Sequence, residues 1–160
     1  MERVGALFVA PRAVTTGSGS AAHSQKTRMN QTTSIAPMLS VRHGAKAVDF
    51  YKAAFGAGEL FRLDGDNDSV VAQLNIGKAE FWVADESPEH LNFSPESLNG
   101  SSARMVMVVD DPDAMFNRAV AAGAKVVSPM TDQPYGWRVG RVADPFGHHW
   151  EIGKPLQKGD

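Results

Sequence analysis

Two periodicities alternate along the chain. In KAEFWVAD (78–85), Phe81 and Val83 alternate with Glu80 and Trp82, and in HHWEIGK (148–154), Trp150 and Ile152 alternate with His149 and Glu151. A period of two marks a strand with one buried face. AKAVDFYKAAFGA (45–57) instead gathers Ala47, Val48, Tyr51, Ala54 and Phe55 along one side of a helix. A second helical stripe, Met115, Phe116, Ala119 and Val120, lies between Asp111-Pro112 and Gly123. An aspartate N-cap, a proline in the first turn and a closing glycine are the expected punctuation of a helix.

The order of these elements repeats. A strand at 36–42 precedes the first helix, and runs at 59–63, 69–76 and 78–85 follow it. A strand at 103–110 precedes the second helix, and runs at 124–130, 139–144 and 148–154 follow. At an offset of 67, Gly56 falls over Gly123, Ala47 over Ala114 and Ala57 over Ala124. The pattern predicts one domain, 35–154, of two βαβββ modules (35–85 and 102–154) joined by the linker 86–101, with a tail at 155–160. Residues 1–34 are expected to be a disordered extension or the product of a start placed too far upstream, because VTTGSGSAAHSQKTR has no apolar pattern and Met29 stands just before the patterned part.

Composition narrows the function classes. With no cysteine, disulfides, thiolate metal sites and cysteine nucleophiles are excluded, and a reducing, cytoplasmic location is expected. No apolar run reaches the ~18–20 residues of a membrane span. Residues 29–160 hold seventeen acids and twelve bases, net −5. Such a body is unsuited to gripping nucleic acid, which calls for a basic stripe. In LDGDNDS (63–69) the glycine is misplaced for a calcium loop, so its aspartates read as solvated turn residues.

VDFYKAAFGA, SPESLNGSS, VDDPDAMFNRAVAAGAKV and GRVADPFGHHWEI, within the doubled βαβββ order, resemble the vicinal oxygen chelate superfamily, which includes glyoxalase I, extradiol dioxygenases, fosfomycin resistance enzymes and bleomycin-binding proteins. The resemblance is greatest to its glyoxalase/bleomycin-resistance, PhnB-like branch. It implies an α+β fold in which two βαβββ modules form a curved mixed sheet around a cavity with the helices outside. It also implies a homodimer with cavities near the subunit interface.

The resemblance further implies four metal-ligand positions, and these fall on Ala36, Trp82, Arg104 and Glu151. Only Glu151 can ligate a metal, and an arginine at 104 repels one. Neither a metal nor another cofactor is therefore expected, and HHWE reads as a strand facing a pocket. The expected lining is Met38, Trp82, Arg104, His149 and Glu151, with Trp137 in the loop PYGWRVG at the mouth. Strand alternation puts Glu151 beside His149, and Arg104 is the natural partner for its carboxylate. The leading expectation is a metal-independent binder of a small molecule, cationic or planar and aromatic. The alternative is a lyase, isomerase or dioxygenase of the superfamily, with or without a divalent metal, in which Glu151 or His149 would act as general base.

Overall fold

A computed structural model describes residues 33–157. Most of the extension expected at 1–34, and the last three residues of the tail, lie outside the described residues. The first module runs β1 (Met38–Val41), α1 (Gly44–Phe55), β2 (Gly58–Asp64), β3 (Val70–Ile76) and β4 (Ala79–Asp85). The linker contains a 3₁₀ turn, Pro88–His90, and a short helix α2 (Pro95–Leu98). The second module runs β5 (Arg104–Val108), α3 (Pro112–Ala121), β6 (Lys125–Gln133), β7 (Trp137–Ala143) and β8 (His149–Pro155).

Each module is α+β, and its four strands form a mixed sheet. The orders, β1-β4-β3-β2 and β5-β8-β7-β6, are the same topology twice. In both, the first strand runs parallel to the last and the other pairings are antiparallel. No hydrogen-bonded ladder joins the two sheets among the described residues. The expected mixed sheet is thus present as two four-stranded sheets.

The helices form where the apolar stripes foretold them. Ala47, Val48, Tyr51, Ala54 and Phe55 are all buried, and Phe50 joins them. At the end of α1, Gly56 takes φ 66° and ψ 30°, so its N–H and that of Ala57 reach back to the carbonyls of Lys52 and Tyr51. Helix α3 begins with the Asp111 carboxylate accepting from Ala114 N–H at 3.0 Å. Its last turn is capped by right-handed Ala122, and Gly123 (φ 118°) turns the chain just beyond.

One core serves both modules. Phe81 of β4 and Trp150 of β8 lie with ring centres 5.7 Å apart, and Tyr51 and Phe55 of α1 pack against Trp150. Polar bonds reinforce this seam. The Tyr51 hydroxyl donates to Asp144 at 2.7 Å, the Arg118 guanidinium to Ala53 O at 2.7 Å, and the His148 ring lies 2.9 Å from Ser40 O. Because the seam is built from helix-side residues, the opposite face of each sheet is left uncovered among the described residues.

Candidate functional site

Alternation assigns these uncovered faces. On β4 and β8 the buried hydrophobic side chains are Phe81, Val83, Trp150 and Ile152, so Trp82, His149 and Glu151 turn to the open side. Across the first sheet, Phe61, Gln73, Trp82 and Met38 fall in one rank. The Phe61 and Trp82 rings are 6.0 Å apart, and Phe61, Leu63 and Met38 are exposed. Among the described residues Glu80 supplies the only charge ranked on this face, and Gln73 donates to it at 2.8 Å. The face is mostly apolar.

The second sheet is different in character. Its ranks place Lys125, Ala143, His149 and Arg104 side by side, then Ser128, Arg141, Glu151 and Val106, then Thr131, Val139, Gly153 and Val108. Arg104 and Arg141 each approach Glu151 Oε2 at 3.3 Å. Two guanidiniums therefore share one carboxylate oxygen. Arg141 Nε is buried with no acceptor among the described residues, an arrangement that costs roughly 1–3 kcal/mol. With Lys125 included, three cations on this face meet one anion. A cationic or planar aromatic ligand was expected, and the charges ranked on this open face are mainly basic.

A depression of about 210 Å³ lies on the second face, lined by Val106, Tyr135, Trp137, Val139, Glu151 and Gly153. Gly136 (φ 84°) turns the chain between Tyr135 and Trp137, which puts two aromatic rings at the rim. The expected residues accordingly divide. Trp137 and Glu151 line the depression, Arg104 pairs with Glu151, and His149 stands one rank away beside Arg104. Met38 and Trp82 are paired across β1 and β4 on the other sheet. One chain does not gather all six residues into a single cavity. Arg141, Tyr135 and Val106 were not foreseen. The sequence signal for Arg141 was its place one residue before Val142, on the alternation that turns Val142 inward.

A larger recess, about 520 Å³, lies beside the start of α1, between His43, Lys46, Arg62, Asp64, Asp68 and Asp85. Three of these side chains, Asp85, Arg62 and Asp64, are already engaged. Asp85 accepts from the N–H groups of Gly44 and Val70, and Arg62 is bound to Asp64. We place the candidate site on the second sheet, where donors outnumber acceptors.

The donor set does not suit a metal. Of the four superfamily positions, Ala36, Trp82 and Arg104 supply no ligand, and the one carboxylate, Glu151, already faces two guanidiniums. No three histidine, aspartate or glutamate side chains converge on one point among the described residues.

Two sheets of β1-β4-β3-β2 order, each backed by one helix and open on its far side, define the class of paired βαβββ proteins. Residues 28–152 match the Glyoxalase/Bleomycin resistance protein/Dioxygenase superfamily model, and the chain belongs to that family. It is 40% identical over 134 residues to the uncharacterized protein Rv0887c of Mycobacterium tuberculosis, covering 81% of this chain and 79% of that one. Among solved structures it is similar to TioX from Micromonospora sp. ML1, with 29% identity, a TM-score of 0.59 and coverage of 78% of this chain and all of that one. The fosfomycin resistance protein FosX from Listeria monocytogenes, with 16% identity, a TM-score of 0.60 and coverage of 80% and 96%, shares the fold.

Proposed function

We propose that the protein is a metal-independent small-molecule binder of the PhnB-like branch of this family, acting in the cytoplasm as a homodimer through the single domain 35–154. The observation that carries this reading is the clamp of Arg104 and Arg141 on Glu151. It fills the one family position that could have offered a metal ligand. It also engages one of the two oxygens of the carboxylate that heads the general-base candidates, which speaks against the lyase, isomerase and dioxygenase readings that rely on Glu151. What remains is a mostly apolar depression lined by Tyr135 and Trp137, with Glu151 as its charged lining residue and Arg104 and Arg141 paired to it from beside, a construction usual for a small-molecule pocket.

At about 210 Å³ the depression is smaller than the ~300–1,000 Å³ typical of complete ligand sites. The missing wall is supplied, on this reading, by the open face of a second copy bearing Met38 and Trp82. The test has two parts. Elemental analysis after purification without chelator should find manganese, iron, nickel and zinc at trace level. A thermal-shift screen of planar aromatic compounds should find stabilising ligands. A near-stoichiometric metal that is lost in Glu151→Gln would replace this reading with a metalloenzyme.

A further inference from the structure

Resting on the small-molecule reading, we infer that the occupant of the second-sheet site carries an anionic group, a carboxylate on a planar aromatic body. The geometry is one-sided in its hydrogen-bonding supply. Arg104 and Arg141 bring ten N–H donors between them by the chemistry of the guanidinium, five each. Their shared acceptor is one oxygen of Glu151 at 3.3 Å from each, a long contact for a charged pair. Arg141 Nε has no acceptor at all among the described residues. Lys125 adds a third cation one rank away, and among the described residues no second acid is ranked on this face.

Glu151 therefore acts as a spacer that holds two like charges together. It neutralises one of them, and the remainder is a fork of donors beside an apolar depression. A carboxylate matches that fork through paired parallel hydrogen bonds, whereas an ammonium would meet net repulsion. The depression extends from Glu151 along Val106, Val139 and Gly153 to Tyr135 and Trp137. That layout suits a flat ring whose acidic end points at the arginines and whose faces lie against the aromatics.

The test uses the full chain and three probes of one shape: naphthoate, naphthalenemethanol and naphthylmethylammonium, titrated by calorimetry. Naphthoate should bind about tenfold or more tighter than the alcohol, the worth of one charge-assisted contact, with the ammonium weakest. In Arg104→Gln the ratio of carboxylate to alcohol affinity should fall to near parity. Arg104→Lys should retain part of the ratio, because it keeps the charge and loses the fork. Arg104 is more than half exposed, so these variants should fold, and circular dichroism checks that. Equal affinities for carboxylate and alcohol, or a preference for the ammonium, overturn the anion assignment and leave the binding reading intact. If no probe binds, the charge of the hits from the thermal-shift screen decides: anionic hits support the assignment and neutral or cationic ones overturn it. A screen with no hits at all overturns both.

Discussion

Asp144 is 4% exposed, and every bond it makes can be accounted for. Its carboxylate accepts from the Tyr51 hydroxyl at 2.7 Å, the Trp150 indole at 2.9 Å, and the N–H groups of Phe146 and His148 at 2.9 Å each. Burial, then the charge and hydrogen bond of Asp144, hold the Tyr51 hydroxyl well above its ordinary pKa. Tyr51→Phe removes one donor to a buried carboxylate and should lower stability to urea by ~1.5–3 kcal/mol, the usual range for a bond to a charged group. An unchanged midpoint would show that the seam does not depend on this bond. Glu86 makes the corresponding prediction in acid. Burial pushes its carboxyl up, but the Ser94 N–H, Ser97 and Arg42 outweigh this and hold it down at about 2. A lowered folded-state value stabilises the fold above the ordinary carboxylate pKa, and that contribution is lost as the pH falls from about 4.5 toward 2. Glu86→Gln should therefore flatten the fall of melting temperature over that window. The residue scale was the least legible one in the sequence. Trp150 could be read as core from alternation alone, but Asp144 acquires its role only because Tyr51, 93 residues away, folds onto it.

Elements were more legible, and their misreadings have physical causes. Both long helices and the two closing strands lie where periodicity put them. The last part of β6 did not read as a strand. Register shifts between Val126 and Ser128 and between Ser128 and Thr131 break the alternation, and Pro129 adds a stop signal tolerable only on an edge strand. Helix α2 was hidden inside a linker that looked merely polar. Its start is marked by Ser94, fully buried, whose hydroxyl accepts from Ser97 N–H at 3.2 Å, followed by Pro95. At this scale packing between α3 and β7 gives a clean test. A Cβ built on Gly140 would meet Phe116 ring carbons at 2.8 and 3.0 Å and Met130 Sδ at 2.6 Å. Gly140→Ala should cost about 1–3 kcal/mol, as overpacking does. Gly100→Ala, where nothing lies within 4 Å, should stay within about 0.5 kcal/mol of the parent. Equal melting temperatures for the two variants would mean that Phe116 repacks freely.

For the whole molecule, the doubled module was legible because its helix punctuation and strand order recur at a constant offset. Where the functional wall comes from was not legible, because alternation tells which residues share a face and not which faces meet. The two open faces are unlike in a way that suits each other. The first presents Met38, Phe61, Leu63 and Trp82 with Glu80 as its only ranked charge, and the second presents Val106, Val108 and Tyr135 with Arg104, Arg141 and Lys125 in excess over Glu151. In the twofold dimer proposed above, the first face of each copy would meet the second face of the other, so that one symmetry operation would cover both mismatched surfaces of each copy. This would bring Met38 and Trp82 opposite Glu151 and Trp137 and complete the site that one chain leaves divided. Sedimentation velocity at micromolar concentration should then show a dimer. Val106 is 67% exposed in the single chain, so Val106→Lys should leave the monomer fold unharmed by circular dichroism. In the dimer it would bury a fourth cation among apolar groups, a cost of several kcal/mol, and should shift the population to monomer. High salt alone should weaken the parent dimer only in part, since screening acts on the charges and not on the apolar contacts. A parent that sediments as a monomer, or a Val106→Lys variant as dimeric as the parent, would show that these faces do not meet.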